Sequence, residues 1–259
     1  MFFLTIPHCS VHIPPELQPR LNPEANLRAM AEPGLDLLFA LPGVETVAGD
    51  VHLSVVNLNR SRDDINPRTG DPYPETLSQN VLADFHGMPL YRADAEHSPV
   101  ERKNFLQLYY DPFFVAVDRL VASGRYAFFV DIHSMNEDST SYVSKTDSLG
   151  GRPDMCLGND GDPAGEAHSD GMPLTCPAPF IRNMAAMLTE KGYRCALNDP
   201  FRGGYIIQTY GSRIPCLQLE MSKRLFMTAD NGECVADRLR ALGRHLSQVF
   251  SAMDRQRAG

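Results

Sequence analysis

Short, almost continuously apolar runs recur along the chain and carry its main secondary-structure signal. Such runs, when they are bounded by Pro, Gly or polar residues, are typical of strands covered on both faces of a sheet. The pattern predicts six strands, at residues 2–6, 51–58, 126–132, 154–157, 194–197 and 215–221.

Three other segments carry apolar residues three and four positions apart. This spacing places the apolar side chains on one face of an amphipathic helix. The segments predicted to be helical are 99–122, 176–191 and 233–253. Ser98 and Pro99 are a favourable N-cap and first-turn pair for the first of them.

The alternation of strands and helices indicates an α/β fold. We predict a three-layer sandwich in which helices cover a central mixed, largely parallel sheet, built as one domain over residues 1–259. Polar stretches with Pro and Gly near residues 61–75 and 159–174 are expected to be long loops, and such loops are often functional.

Composition and charge narrow the class of protein. Hydrophobic residues make up 43% of the chain, which is enough for a sizeable core without disulfides. The formal net charge of −8 argues against a nucleic-acid partner, because phosphate binding needs a basic face. A small anionic ligand remains compatible with this charge, since a local arginine can bind one carboxylate.

The sequence is also that expected of a cytoplasmic protein. Its first residues lack the basic segment and long apolar run of a signal peptide. No apolar run reaches the roughly 18 residues of a membrane span. The six cysteines are scattered without a Cys-x-x-Cys pair, and we expect them to be free thiols.

Two histidines end predicted core strands. His8 follows strand 2–6 and His133 follows strand 126–132. Ligands of open α/β sheets collect outside the carboxyl ends of strands, so the pair predicts a metal site there, with a purely structural role as the alternative. Asp131 shares the strand face of His133 and would either orient a metal-bound imidazole or cap the next loop.

A carboxylate ends the last predicted strand. Glu220 lies within an apolar run, where an unpaired carboxylate is costly to bury. It is therefore a candidate general base beside a metal-activated water. The alternative is an ion pair with Lys223 or Arg224.

Two more runs offer groups that could bind a substrate. Asn59 and Arg60 close an apolar run, and the Arg fork suits bidentate binding of a carboxylate. In Arg202, Gly203 and Gly204, the glycines would let the backbone approach a ligand closely. Taken singly, each run is equally compatible with an ordinary solvated loop or turn.

Taken in order, six runs resemble the N-formylglutamate amidohydrolase family from residue 6 to about residue 227. They are Pro-His, Asn-Leu-Asn-Arg, Asp-Ile-His-Ser-Met, Leu-Gly-Asn, Pro-Phe-Arg-Gly-Gly-Tyr and Leu-Gln-Leu-Glu-Met. That family is similar to zinc carboxypeptidases and aspartoacylases, so the resemblance implies their fold. It also implies hydrolysis of an N-formyl or N-acyl amino acid, with N-formyl-L-glutamate as the first candidate.

The resemblance assigns roles to individual residues. It implies that one Zn²⁺ ion is held by His8, His133 and a carboxylate. It implies that Glu220 is the general base and that Asn59 and Arg60 bind the substrate carboxylate.

The same resemblance makes Arg202, Gly203 and Gly204 part of the pocket wall. A second substrate carboxylate, if the amino acid is glutamate, would go to Arg202 or Arg213.

The third metal ligand is a departure from the wider zinc hydrolases. Their His-x-x-Glu pair is missing here, because Val11 stands three residues after His8. We expect Asp36 to replace that glutamate, since the formylglutamate family tends to carry an aspartate there. Asp50 and Glu32 are the alternatives.

A second departure concerns the substrate. Phe113 and Phe114 stand where the family commonly has Tyr-His. The acyl group and the amino acid therefore stay open, as do the native metal and the oligomeric state. The alternatives are a related zinc carboxypeptidase or acylase, and a non-catalytic metabolite-binding protein on the same scaffold.

Overall fold

The computed structural model describes residues 1–41, 43–73, 78–84, 87–137, 151–229 and 232–258. A six-stranded sheet with the order β2-β1-β3-β6-β4-β5 forms its centre. The strands are β1 (Phe2–Ile6), β2 (Glu45–Ala48), β3 (Phe128–Met135), β4 (Met155–Gly158), β5 (Cys195–Leu197) and β6 (Cys216–Ser222). Neighbouring strands pair in parallel except β4 and β6, so the predicted mixed, largely parallel sheet is confirmed.

Helices cover both faces of this sheet. They are α1 (Leu27–Met30), α2 (Leu35–Leu38), α3 (Pro99–Phe105), α4 (Asp111–Ala122), α5 (Ala178–Glu190), α6 (Tyr205–Tyr210) and α7 (Ala236–Ala258). A π-helical turn joins α3 to α4, so the segment predicted at 99–122 is helical throughout. Ser98 caps α3 by accepting a hydrogen bond from the Glu101 N–H, as its position before Pro99 predicts.

The two faces of the sheet have separate hydrophobic cores. Because side chains alternate along a strand, Phe2 and Leu4 point into one core while Phe3 points into the other. The first core includes side chains of α2, α5 and α7, and the second includes side chains of α3, α4 and α6. The predicted three-layer arrangement is therefore confirmed.

The second face of the sheet carries apolar side chains at one end of the strands and polar side chains at the other. Towards the strands' amino ends it is apolar, with Phe3, Phe129 and Cys216 in the second core. Towards the carboxyl ends the same face carries polar side chains that lie in register across β1, β3 and β6: Thr5, Asp131, Gln218, His133 and Glu220. On β6 the first face stays apolar through Met221, while on β3 it carries Ser134 near the strand end. The ionisable side chains of β3 and β6 therefore all lie on the second face.

One predicted strand is wrong. Residues 51–58 form turns rather than a strand, and Val51, Val55 and Leu58 pack in the second core. An apolar run shows that a segment is buried but does not provide a hydrogen-bonding partner strand. The strand that pairs with β1 at the sheet edge is β2, which is partly exposed and therefore lacks a continuous apolar run.

The strand ends also differ slightly from prediction. β3 continues to Met135, so His133 lies within the strand rather than after it. His8 lies in the turn that follows β1, as predicted. All six cysteines are free thiols, also as predicted. Within the described ranges, none of the helices has the length and apolar character needed to cross a membrane.

Candidate active site

A buried glutamate brings the two strand-end histidines together. The Glu32 Oε1 atom lies 3.2 Å from His8 Nδ1 and 3.3 Å from His133 Nδ1. The other carboxylate oxygen, Oε2, accepts a hydrogen bond from the Ser134 N–H at 3.0 Å. One carboxylate therefore links the turn after β1 to the end of β3.

The outer nitrogen of each histidine is held by its own acceptor. His8 Nε2 donates to Asn57 Oδ1 at 3.0 Å, and His133 Nε2 donates to Asp131 Oδ2 at 3.0 Å. The Thr5 hydroxyl donates to the other Asp131 oxygen at 2.6 Å. These acceptors orient both rings so that their Nδ1 atoms face Glu32.

Opposite charges stabilise this group. Burial acts to raise the pKa of Glu32, but His133 and His8 outweigh burial and lower that pKa to about 2. Burial acts to lower the pKa of His133, but Asp131 and Glu32 raise it well above its usual value. The carboxylate is therefore held in its charged form although it is only 7% exposed.

The donor set fits a divalent metal ion. His8, Glu32 and His133 each offer one ligand atom, and these atoms lie within 4.8 Å of one another. Two imidazole nitrogens and one carboxylate are typical ligands of a catalytic zinc site with an open coordination position. Hydrogen bonds from the outer ring nitrogens, as seen to Asn57 and Asp131, are also typical of metal-bound histidines.

The structure does not bring Asp36 to this group. Asp36 lies on α2 with an exposed side chain, and Asp50 is exposed as well. Glu32, which the sequence offered only as an alternative, occupies the position between the histidines. It precedes α2 in an irregular segment, so no periodic pattern marks it.

A buried lysine fixes the segment that carries Glu32. Lys223 is 1% exposed, and its Nζ atom donates to the carbonyl oxygens of Ala29 and Ala31 at 2.7 and 2.8 Å. The Glu32 N–H donates to the His8 carbonyl at 3.0 Å. Lys223 therefore positions the chain before Glu32, and Arg224 forms ion pairs with Glu137 and Asp154. The alternative for Glu220, an ion pair with Lys223 or Arg224, is not what the structure shows.

Glu220 lies on the strand beside His133, and both line the same pocket. The two residues are register partners in the pairing of β3 with β6. Burial raises the pKa of Glu220 to about 7, while His133 and Arg152 act to lower it. A carboxylate with a pKa near neutrality is suited to accept a proton in one step and return it in the next.

Asn59 is buried beside the same strands, and both ends of its amide have partners. Its Oδ1 atom accepts from the Ile206 N–H at 3.0 Å, and its Nδ2 atom donates to Gln218 Oε1 at 3.5 Å. Gly204 permits this arrangement, because a Cβ atom there would lie 2.1 Å from Asn59 Nδ2. The Gly204 backbone thus closely approaches Asn59.

The pocket around these groups has a volume of about 440 Å³. Four arginines line it: Arg60, Arg68, Arg152 and Arg202. The lining also includes the site residues described above, which are His8, Glu32, Asn59, His133, Glu220, Gly203 and Gly204. Apart from Asp36, Asp131 and Arg213, the residues assigned to the site all line this pocket, and Asp131 lies behind His133.

Two of the four arginines are cross-linked to neighbouring loops. Arg202 donates to the carbonyl oxygens of Gly161 and Asp160 and to the Asp170 carboxylate. Arg68 forms ion pairs with Asp160 and Asp170. These contacts hold the loop after β4 against the pocket wall.

The other two arginines stack on aromatic rings. The Arg60 guanidinium lies 5.0 Å from the centre of the Tyr73 ring, and that of Arg152 lies 5.3 Å from the centre of the Phe201 ring. Stacking on a ring face keeps the N–H edge of a guanidinium in plane for a carboxylate. Sequence patterns did not identify Arg152, because it precedes β4 without a recognisable motif.

Arg213 and the two phenylalanines lie away from the pocket. Arg213 pairs with Asp118 at 2.8 Å on the surface, so the suggestion that it holds a second substrate carboxylate is wrong. Phe113 is buried in the second core, and Phe114 stacks on Tyr110. Their difference from the family pattern therefore affects the packing of α4 and does not alter the described pocket lining.

Comparisons with known proteins find relatives of this chain. The sequence model of the N-formylglutamate amidohydrolase family matches residues 1–227. A curated N-formylglutamate deformylase from Pseudomonas putida is 28% identical over 196 residues, which cover 71% of this chain and 65% of that relative. The match therefore spans slightly less than two thirds of the relative's length.

Solved structures share the fold. The crystal structure of N-formylglutamate amidohydrolase from Ralstonia eutropha has a TM-score of 0.78 and 21% identity, covering 98% of this chain and 94% of the other. The structure of a gene product from Agrobacterium tumefaciens has a TM-score of 0.58 and 16% identity, covering 97% and 91%. At these identities, the likeness concerns the fold alone.

The contact between Gly204 and Asn59 predicts a specific steric effect. Gly204→Ala should lower the free energy of unfolding by about 1–3 kcal/mol, because the new methyl group overlaps the Asn59 amide. Urea denaturation measures this change. In an Asn59→Ala background the same substitution should cost clearly less, and an equal cost in both backgrounds would contradict the assigned contact.

Proposed function

The chain belongs to the N-formylglutamate amidohydrolase family, and from this membership and its buried His–Glu–His group we propose that it hydrolyses N-formyl-L-glutamate to formate and L-glutamate. The observation that carries the proposal is that these three residues share a pocket with Glu220. Two histidines and a carboxylate that could hold a metal ion, with a proton acceptor nearby, are a suitable set of groups for metal-assisted hydrolysis of an amide.

We propose that one Zn²⁺ ion is the cofactor, held by His8, Glu32 and His133. Zinc is favoured over harder cations because two of the three ligands are imidazole nitrogens. When bound, it would supply Lewis-acid activation of the amide carbonyl and of the attacking water. Asn57 and Asp131 would keep the imidazole lone pairs directed at the ion by accepting the outer N–H groups.

Glu220 is the proposed general base. It takes a proton from water as the water oxygen bonds to the formyl carbon. It returns that proton to the amine nitrogen as the C–N bond breaks, so formate leaves with the water oxygen and L-glutamate leaves with a complete amine. Burial of Glu220 supports this role, because it keeps the proton affinity of the carboxylate high.

The arginines of the pocket are proposed to bind the substrate carboxylates. Arg60, next to Asn59, would hold the α-carboxylate with its planar N–H fork. Arg202, Gly203 and Gly204 would form the wall beside the substrate. A dicarboxylic substrate fits a pocket that four arginines line, because each carboxylate needs a cationic partner when it leaves water.

A substrate panel tests the proposal. Purified zinc-loaded protein should release formate from N-formyl-L-glutamate at least about 10²-fold more efficiently, as kcat/KM, than from N-formyl-L-leucine, because arginines in the pocket lining can bind the second carboxylate. N-acetyl-L-glutamate should be the poorer acyl donor. A preference for another N-acyl amino acid would favour a related acylase. Tight binding without turnover, in protein that holds no metal, would favour a metabolite-binding protein.

The third metal ligand can be tested with a matched pair of variants. Glu32→Gln should lose stoichiometric zinc, because the amide supplies no charge between the two histidines. Asp36→Asn should retain it, since Asp36 is exposed on α2. Metal content after dialysis, measured by mass spectrometry, distinguishes them. Zinc loss in Asp36→Asn together with full zinc in Glu32→Gln would reverse the assignment.

Removal of the proposed base should separate metal binding from turnover. Glu220→Gln should bind zinc like the unmodified chain but lower kcat by roughly 10²- to 10⁴-fold, because the amide cannot accept the proton. Steady-state kinetics and metal analysis on the same sample measure both quantities. Near-normal kcat in this variant would remove Glu220 from the mechanism.

A further inference from the structure

Gln218 is a buried polar residue on the strand that carries Glu220. It lies two residues before Glu220 on β6, so the two side chains share one face of the sheet. Gln218 is 4% exposed and lines the pocket together with Glu220. A buried amide needs partners for both its oxygen and its nitrogen, and those partners determine what the residue can do.

The two ends of the Gln218 amide contact two different parts of the site. Its Nε2 atom donates to Glu220 Oε1 at 2.9 Å. Its Oε1 atom faces Asn59 Nδ2 at 3.5 Å, the long end of the hydrogen-bond range. Asn59 is in turn anchored by the Ile206 N–H at the start of α6. A chain of amides therefore runs from α6 to Glu220.

We propose that Gln218 is a positioning residue that sets the orientation of the Glu220 carboxylate. The inference rests on the proposed function of Glu220 as general base. The terminal torsion of a glutamate side chain is soft and has broad minima, so burial alone does not fix the carboxylate plane. The hydrogen bond to Oε1 fixes that plane and leaves Oε2 as the oxygen that accepts the proton from water.

An uncharged donor suits this role better than a charged one. A lysine or arginine in the same place would stabilise the ionised carboxylate strongly and reduce its proton affinity. A glutamate would put two carboxylates side by side, and a leucine would provide no donor. Glutamine both donates to Glu220 and offers an acceptor to Asn59, so it can hold the base without pairing with it as an ion.

The same chain of contacts also links Glu220 to the residues that are proposed to bind the substrate carboxylate. Asn59 precedes Arg60, and its amide lies against Gly204, where α6 begins. The residues that would hold the substrate carboxylate and the residue that would move the proton therefore share one set of buried contacts. A shift of this set would misplace the base relative to the amide, and small misplacements of reacting groups are costly.

The test uses Gln218→Met in the zinc-loaded enzyme. Methionine has a similar length but provides no N–H donor, so kcat for N-formyl-L-glutamate should fall about 10- to 100-fold. The KM value should stay within about threefold, because Gln218 acts on the base and does not hold the substrate. Zinc content should be unchanged, because Gln218 is not in the His–Glu–His group.

A double-mutant cycle separates positioning from a general structural role. In a Glu220→Gln background, Gln218→Met should lower kcat no further, because the group that it positions no longer accepts a proton. Cys216→Ala is the matched control, since Cys216 lies two residues earlier on the same face of β6 and packs in the second core. It should lower thermal stability but change kcat little in either background.

Two outcomes would overturn the inference alone. One is the same fold loss of kcat from Gln218→Met in both backgrounds, which would indicate a structural role. The other is full kcat in Gln218→Met while Glu220→Gln is inactive, which would refute the positioning role and leave the proposed function standing. Full kcat in Glu220→Gln would instead remove Glu220 from the mechanism, and the role of Gln218 with it.

Discussion

The site depends on one buried carboxylate whose negative charge must be compensated. Glu32 lies between His8 and His133, and an uncompensated charge in that position would be costly. The histidines compensate it when they are protonated, and a divalent metal would do so more completely. Asn57 and Asp131 orient the two imidazole rings by accepting hydrogen bonds from their Nε2 atoms.

The sheet provides the rigid frame for that carboxylate. Register pairing places His133 beside Glu220 across β3 and β6, and apolar packing below them fixes both strands. Lys223, at the end of β6, reaches back to the segment before Glu32. His133 and the proposed base thus lie on neighbouring strands, and Lys223 links the segment of Glu32 to the end of β6. This favours a preorganised site over one assembled by a mobile loop.

Much of the site was accessible to sequence analysis because its residues follow local patterns. His8, Asp131 and Glu220 lie on or directly after apolar strands, and their proximity follows from where parallel strands end. Glu32 lies in an irregular segment whose position depends on contacts with His8 and Lys223, which are distant in sequence. The resemblance to a family therefore led to a neighbouring acid, Asp36, which is exposed on α2.

The sequence by itself determined the α/β class, most strands and helices, and the residue types at the strand ends, because these depend on periodicity and local order. It did not determine that residues 51–58 are buried turns, since an apolar run reports burial and not hydrogen-bond partners. Only the tertiary structure decided which carboxylate joins the histidines, which arginines are cross-linked by acids, and that Gln218 contacts Glu220. The first two depend on contacts between segments far apart in the chain, which no short window of sequence contains. Gln218 and Glu220 are only two residues apart, but strand periodicity shows that they share a face and not that their side chains form a hydrogen bond.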